Sequence, residues 1–363
     1  MTAGAPTHAP GKRPSPRRTV RIGGLSATYR RRRLAVPLLV LAVLVLTAAV
    51  SLGRGDYPIS VLDVLRTLVG AGDATQRLIV LELRAPRLAV ALLVGIALGV
   101  SGALIQTFAR NPLASPDVLG VTGGAAIGAV TVIVAGGTTT ADRLLGGLGL
   151  PAAALAGGLV MALLVFGLAW NQGIDGYRLL LIGIGLSAMA QAVVSYLLTR
   201  SSIQDAAVAN VWITGSLNGR GWDQARPLAL VLLVLLPAAV ALSRVLGVLQ
   251  FGDETARSLG VRVPLAQAVS VVVAVALAAV AVSAAGPIQF VALVVPQIAV
   301  RLAGGPRPPL LAAGLLGALL VVAGDLVART VLPDSFPVGV VTAVVGAPYL
   351  LWLLVRGRRR STL

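Results

Sequence analysis

Apolar residues fill most of the chain in runs of about 20, each closed by a short turn rich in Pro, Gly, Asn and charge. A run of that length crosses a bilayer as a helix. Ten such runs stand out, at about 34–53, 88–108, 118–136, 150–170, 178–198, 227–247, 265–284, 287–303, 309–330 and 338–355. The pattern predicts an all-α, polytopic membrane protein with about ten transmembrane helices. Between the first two runs, SVLDVLRTLVG (60–70) has helical apolar spacing and predicts a short helix lying on the membrane surface. A second connecting segment, AAVANVWITGSLNGRGWDQ (206–224), carries Trp212 and Trp222, for which anchoring at the membrane–water interface outweighs ligand stacking. Small residues recur at helix-packing spacing: Gly95 and Gly99, then Gly120, Gly124 and Gly128, then Gly314 and Ala318. Such stripes let helix backbones approach closely; they predict tight bundling and say nothing of function.

Composition narrows the class. The chain is 57% hydrophobic and only 12% charged, too few polar residues to coat a soluble globule of 363 residues. The net charge of +17 suggests nucleic acid until its location is considered. Residues 1–33 hold Lys12 and eight arginines with no acid, and four more arginines lie between Arg356 and Arg360. Basic tails beside apolar spans hold their side of the membrane in the cytoplasm and attract anionic lipid. Both termini are therefore expected in the cytoplasm, which an even number of spans allows, and nucleic acid is not an expected partner. The expected organisation is a disordered basic tail over 1–33, rich in Pro, Gly and Arg, a transmembrane domain over 34–356, and a basic tail over 357–363. The loops fit the charge rule less well: Arg77, Arg84, Arg87, Arg143, Arg200, Arg220, Arg226 and Arg329 fall on the outer side and need another explanation.

The chemistry available to such a chain is limited. It has no cysteine, and its one histidine (His8) and one lysine (Lys12) lie in the N-terminal tail. No metal site, catalytic residue or bound cofactor is expected in the spans, and the phosphate-binding loop Gly-x-x-x-x-Gly-Lys is missing. If ATP is used, a partner subunit hydrolyses it.

Four segments remain as candidates. QFGDETARSLGVRV (250–263) interrupts two apolar runs and must lie in water. Asp253 is placed to cap a short helix, Glu254 to favour its positive end, Arg257 to pair with either acid, and Gly260 to terminate it. A functional helix and an ordinary polar loop remain equally open on these grounds. RNPLASPDVLG (110–120) contains two prolines that forbid a continuous helix; it is either a tight turn or a hinge that narrows a pathway. LRAPR (83–87) holds two arginines that either snorkel or receive carboxylates of an outside partner. Asp325, the one acid well inside a span, is by default a functional candidate. Arg329 four residues on makes a structural ion pair an equal explanation.

Taken in order, LRAPR, LVGIALGVSGALIQTFARNPLASPDVLGVTGGA, WITGSL, GDETARSLGV, GPIQFVALVVPQIAVRLAGG and PVGVVTAVVGAPYLLWLL resemble the signatures of the FecCD family over about residues 34–356. These are the permeases of ABC importers for iron–siderophore complexes, related to cobalamin and haem importer permeases. The resemblance implies the ABC importer permease fold, working as a pair with a second permease, identical or paralogous. It also implies two ABC ATPase subunits and an extracytoplasmic substrate-binding protein. By the same resemblance, Gly252, Asp253, Glu254, Ala256, Leu259 and Gly260 belong to a cytoplasmic coupling helix on the ATPase. Asn111 and Leu113, with Asp175, Gly176 and Tyr177, fall at the cytoplasmic gate. Arg84, Arg87 and Arg329 match outer arginines that receive the binding protein. The family's Pro-His before the arginine of the eighth span is Pro296-Gln297 here, and its Gly after Phe-Val is Ala292. No role is carried over to that turn.

The expected function is the permease subunit of an ATP-driven importer of a ferric siderophore, in the bacterial inner membrane; it is not itself an enzyme. With no metal-ligating side chain in the spans, the metal travels inside its chelator. Cobalamin or haem import is the near alternative. An ion-coupled secondary transporter dependent on Asp325 is the distant one, and a membrane-embedded enzyme has few nucleophiles to work with.

Overall fold

The computed structural model describes residues 18–22, 25–29, 31–55, 57–135, 149–170, 176–249, 251–305, 307–332 and 336–358. Within the tail expected to be disordered, strand β1 (Arg18–Ile22) pairs antiparallel with β2 (Leu25–Tyr29), Arg18 opposite Tyr29 and Ile22 opposite Leu25. The alternating TVRI and SATY around Gly23-Gly24 carry that hairpin signal. Everything else regular among the described residues is helical.

The helices are α1 (Arg31–Gly53), α2 (Val61–Leu68), α3 (Ala74–Arg77), a π-helical turn (Leu78–Arg84) and α4 (Ala85–Phe108). Next come α5 (Val121–Val134), α6 (Gly149–Ala169), α7 (Gly176–Thr199), α8 (Ile203–Thr214) and α9 (Trp222–Leu249). The chain continues through α10 (Asp253–Ser258), α11 (Val263–Ala285), α12 (Val291–Ala303), α13 (Leu310–Thr330) and α14 (Val338–Arg358). Among the described residues seven helical stretches are long and apolar enough to cross a membrane. Three shorter apolar helices, Val121–Val134, Val291–Ala303 and Val338–Leu353, occupy the other three expected spans. We call the end where α1 begins the tail end, and the end where it finishes the opposite end.

The second span departs from the sequence reading. LRAPR was expected to open it, yet the helix runs unbroken over Ala74–Phe108, 35 residues. Pro86 inside a helix would clash with the carbonyl four residues back. The π turn absorbs this: the Ala85 N–H reaches the Val80 carbonyl, five residues back, so the chain passes the proline without breaking. The surface helix is as expected: Ser60 caps α2, its Oγ accepting from the Asp63 N–H at 3.1 Å. The tryptophans divide. Trp222 Nε1 donates to the Leu81 carbonyl at 3.2 Å, while Trp212 is buried with Ala125, Ala209 and Val282 and is a core residue, not an interfacial anchor. It is buried because α8 turns its apolar side onto α5 and away from solvent.

Helix α4 is the centre of the bundle, packed against α9, α11, α12 and α13. It meets α13 through small residues. A Cβ on Gly95 would overlap the Gly317 carbonyl and Ala318, and one on Gly99 the Ala313 carbonyl. Helices α5 and α6 use the same device, Gly124 against Gly157 and Gly128 against Ala153. The expected glycine ladder therefore holds for Gly124 and Gly128. Gly120 lies outside it, at φ 76° just before α5, where a left-handed conformation starts the helix. At the opposite end the loop after α8 is tied to two other elements: Ser216 N–H donates to Ala285 O at 2.9 Å and Gly339 N–H to Gly215 O at 3.0 Å.

Because Gly99 faces backbone and not a movable side chain, Gly99→Leu is expected to separate α4 from α13. The loss is about 1–3 kcal/mol, typical of overpacking. A thermal melt in mild detergent checks this, with Gly185→Leu as the control, since nothing stands within 4 Å of a Cβ at that position.

Candidate functional site

Candidate residues gather at the two ends of the bundle. At the opposite end a cleft of about 290 Å³ is lined by Arg84, Arg87, Asp325 and Arg329 together with Tyr57 and Ser51. Arg87 enters from the first turn of α4 and Asp325 from the last two turns of α13. The pair is bidentate: Arg87 Nε lies 3.1 Å from both Asp325 oxygens and Nη2 2.7 Å from Oδ1. Arg329 Nε stands 3.5 Å from Oδ2. Sequence spacing named Arg329 as the partner of Asp325; the closer partner is Arg87, 238 residues away, reached because α4 and α13 are antiparallel neighbours.

The remaining donors hold α1. Arg329 donates to the Arg54 carbonyl at 2.5 Å, to Ser51 Oγ at 2.8 Å and to the Ser51 carbonyl. Arg84 donates to the carbonyls of Leu52 at 2.7 Å and Tyr57 at 2.6 Å. The last carbonyls of a helix lack intrahelical partners and carry its negative end, so two guanidiniums there satisfy both needs. Three of the eight outer arginines that violate the charge rule, Arg84, Arg87 and Arg329, are thus accounted for within the chain. Asp325 is buried between two cations, so a structural ion pair accounts for the one acid well inside a span.

At the tail end, α4 ends in the turn at 109–120. Asn111 Oδ1 accepts from the Leu113 N–H at 2.9 Å, closing an Asx turn, and Asn111 O accepts from Ala114 N–H at 3.2 Å. Gly176, at the start of α7, lies beside Ala109: a Cβ there would stand 3.5 Å from the Ala109 carbonyl. The structure therefore brings this turn and the start of α7 together, with Tyr177 next along and largely exposed. Asp175, expected in the same group, lies outside the described residues. In the same turn, burial pushes the Asp117 carboxyl up to about 6, against the opposing effect of a hydrogen bond with Thr122.

Within the polar segment a short helix forms as expected, with its N-cap position one residue earlier than the sequence suggested. Gly252, at φ 103°, occupies the N-cap position and Asp253 is the first helical residue, in the turn where an acid favours the positive helix end. Among the described residues no ion pair joins Glu254 to Arg257; α10 spans only six residues and both side chains are exposed to solvent. Gly260 ends the helix at φ 81°, and the Val261 N–H reaches back to Ala256 O at 3.0 Å. Ala256 is fully buried and anchors the helix; Phe251 is 75% and Leu259 65% exposed.

Three groups of contacts at the tail end escape sequence reasoning. Gln106 Nε2 donates to Leu293 O at 2.9 Å, and Gln297 Nε2 donates to Gln106 Oε1 at 2.6 Å. Arg301 lies over Trp352, 4.7 Å from the ring centroid, and bonds the Tyr349 hydroxyl. Arg110 donates to Leu249 O at 2.6 Å and Arg307 to Ser243 O at 2.8 Å. The available signal was the presence of glutamines in apolar runs; the pairing itself needs the fold.

Two predictions follow from this geometry. Replacing Asp325 by Asn leaves two part-buried guanidiniums without their carboxylate, so the melt in detergent should fall by the equivalent of about 3 kcal/mol. Arg87→Gln should do the same. The Asp117 group binds its proton more tightly folded than unfolded. Its contribution is therefore most favourable below pH 3.8, is lost as pH rises to about 6, and is constant above that. The difference in melting temperature between the parent chain and Asp117→Asn, followed from pH 4 to pH 7, should move in favour of the Asn variant as pH rises.

The chain matches the FecCD transport family over residues 41–356. It is 42% identical over 336 residues to the ferric enterobactin transport system permease protein FepG of Escherichia coli (strain K12), covering 92% of this chain and 99% of that protein. It is 39% identical over 323 residues to the probable siderophore transport system permease protein YfhA of Bacillus subtilis (strain 168), covering 88% and 94%. Among solved structures, a metal-chelate type ABC transporter in an inward-facing conformation superposes with a TM-score of 0.73 at 28% identity, covering 89% of this chain and 99% of that one. A buried α4 at the centre of an all-helical membrane bundle, a short polar helix at one end, and similarity over nearly the full length place this chain in the FecCD transport family of multi-pass membrane permeases.

Proposed function

We infer that the chain is the membrane-spanning subunit of an ATP-driven importer that carries a ferric siderophore across the cytoplasmic membrane. The observation that carries this is α10. A six-residue polar helix between two apolar helices is held to the bundle by one buried alanine and shows Phe251, Glu254 and Leu259 to solvent. An isolated segment this short has little helical stability of its own, so a partner surface gives it a reason to be ordered. That partner is an ABC ATPase, two copies per assembly, with a second permease, identical or paralogous, beside this chain.

The tail end, with both basic tails, faces the cytoplasm in this reading, and the turn around Asn111 and Leu113 with Gly176 and Tyr177 narrows the exit. At the opposite end, among the described residues lining the cleft, three guanidiniums stand with one carboxylate. That charge suits the carboxylates of a substrate-binding protein even though each arginine also holds its own chain. FepG and YfhA are named for siderophore transport, which supports a ferric siderophore as substrate over cobalamin or haem.

Uptake tests the reading. Cells carrying the chain should take up radiolabelled iron as its siderophore complex and lose that uptake on deletion, with cobalamin and haem uptake unchanged; the reverse pattern would assign the related substrate. Glu254→Arg inverts a charge on the exposed face, and Gly260→Pro demands a negative φ where the chain has 81°. Both are expected to cut uptake at least tenfold while the protein remains in the membrane and ATP hydrolysis continues. Normal uptake in both variants would remove α10 from the coupling role.

A further inference from the structure

Among the outer arginines that the charge rule leaves unexplained, Arg220 stands apart. It lies in the loop 215–221 between α8 and α9, at the end that holds Arg84, Arg87 and Arg329. It is half-buried, and among the described residues its guanidinium makes one bond, from Nε to the Ser216 carbonyl at 3.4 Å. A bond of that length is weak. No acid among the described residues forms an ion pair with Arg220, and burial pulls its pKa below the ordinary arginine value with no opposing cause. A guanidinium does not escape by losing its proton, so the charge stays where it is poorly solvated. Arg200 and Arg226 differ in being exposed, where water serves them.

The loop does not need this side chain to hold its shape. The Arg220 N–H closes the turn onto the Leu217 carbonyl at 3.3 Å, and the Asn218 N–H bonds Ser216 Oγ at 3.1 Å. The Ser216 N–H is held by Ala285 at the end of α11, and the Gly215 carbonyl by Gly339 at the start of α14. Gly215, at φ 80°, packs so closely that a Cβ would overlap the Pro287 carbonyl. Gln224 Oε1 accepts from the Gly221 N–H at 2.8 Å, which fixes where α9 begins. Arg220 is therefore presented from a rigid platform. That platform adjoins the arginine cleft: Trp222 bonds Leu81 in the π turn, and the same turn carries Leu83 and Arg84 into the cleft. The cleft's guanidiniums are engaged with Asp325 and with carbonyls at and just after the end of α1. Arg220 has no comparable engagement, and Asn218 and Gly219 beside it are exposed.

We propose that the loop 215–221 is part of the docking surface for the extracytoplasmic substrate-binding protein, and that a carboxylate of that protein pairs with Arg220. The proposal rests on the importer reading and names a contact within it. A half-buried cation that lacks a partner gains more from an incoming carboxylate than a guanidinium that is already paired, because part of its desolvation cost is met in the free chain. The planar fork of arginine matches a carboxylate in geometry as well as charge. A rigid platform lowers the ordering cost of binding. The exposed residues beside Arg220, and its continuity with the arginine cleft, suit a partner that covers the surface as a whole.

The test uses the complete transport complex in lipid nanodiscs and the purified substrate-binding protein of the same system, with docking followed by biolayer interferometry. Arg220→Gln is expected to weaken docking at least tenfold, mainly through faster dissociation, as for a buried charge pair. Arg220→Lys should recover part of the loss, and Arg200→Gln, at an exposed position on the same side, should dock as the parent does. A second readout separates docking from a structural role. Removing a poorly solvated charge should leave the melting temperature of the undocked complex unchanged or higher. A lower melting temperature in Arg220→Gln would make Arg220 a residue of the fold and overturn the proposal, as would parental affinity in that variant. Loss of the second permease from the Arg220→Gln complex, read by native mass spectrometry, would assign the carboxylate to that subunit and overturn it too. A parent complex that docks no such protein would sink the importer reading as well. A parent that docks, beside an Arg220→Gln variant that docks equally, would leave the importer reading standing and remove this proposal alone.

Discussion

The structure depends on how closely α4 and α13 can approach. Inside a bilayer the hydrophobic effect no longer drives helices together, so association rests on close packing and on polar contacts. Gly95 and Gly99 remove the side chains that would keep the two backbones apart, and Gly317 does so from the other side. The helices run antiparallel, and Gly99 meets Ala313 as Gly95 meets Gly317. Following that register for two more turns, about 12 Å along the axis, brings Arg87 onto Asp325. The ion pair at the opposite end is a consequence of the glycine seam. The grip of Arg84 and Arg329 on the end of α1 then extends the same unit to a third helix.

In the other direction α4 carries the tail end. Gly102 lies against the Ala292 carbonyl, Gln106 binds Leu293 O and Gln297 on α12, and Arg110 binds the end of α9. One buried helix thus links the arginine cluster at one end to the turn and the short helix at the other. In the proposed importer, with an ATPase at one face and a binding protein at the other, a continuous buried helix would give movement at one face a route to the other. That link is physical contact, and its use in transport rests on the proposed role of α10.

Much of the fold was legible because hydrophobic runs report membrane spans directly. All ten expected runs contain an apolar helix, and Gly95, Gly99, Gly124 and Gly128 make the close approaches that their spacing suggested. What spacing could not show was the partner across the bundle. Asp325 was paired with Arg329 because they are four residues apart; its closer partner, Arg87, belongs to a helix that is adjacent only in space. Trp212 was assigned to the interface because tryptophan favours it, and tertiary packing overrode that preference. The second span was read as starting at about 88, just after LRAPR, whereas a π turn carries the helix past Pro86 from Ala74. Of the candidate sites, the position of α10 was legible from the polar interruption and its end from Gly260, whereas its N-cap fell on Gly252 and not on Asp253. The Gln106–Gln297 bond and the bonds of Arg110 and Arg307 to α9 were not, since they join segments far apart in sequence.

The chain contains no cysteine, so a single introduced one reports contacts without background. The most direct test of the account is crosslinking from Leu259→Cys on α10, in cells carrying the whole transport system, with mass spectrometry of the product. The account predicts a product with an ABC ATPase subunit, and none with that subunit from Val69→Cys just after α2 at the opposite end. An ATPase product from Val69→Cys and not from Leu259→Cys would contradict both the orientation and the coupling role of α10.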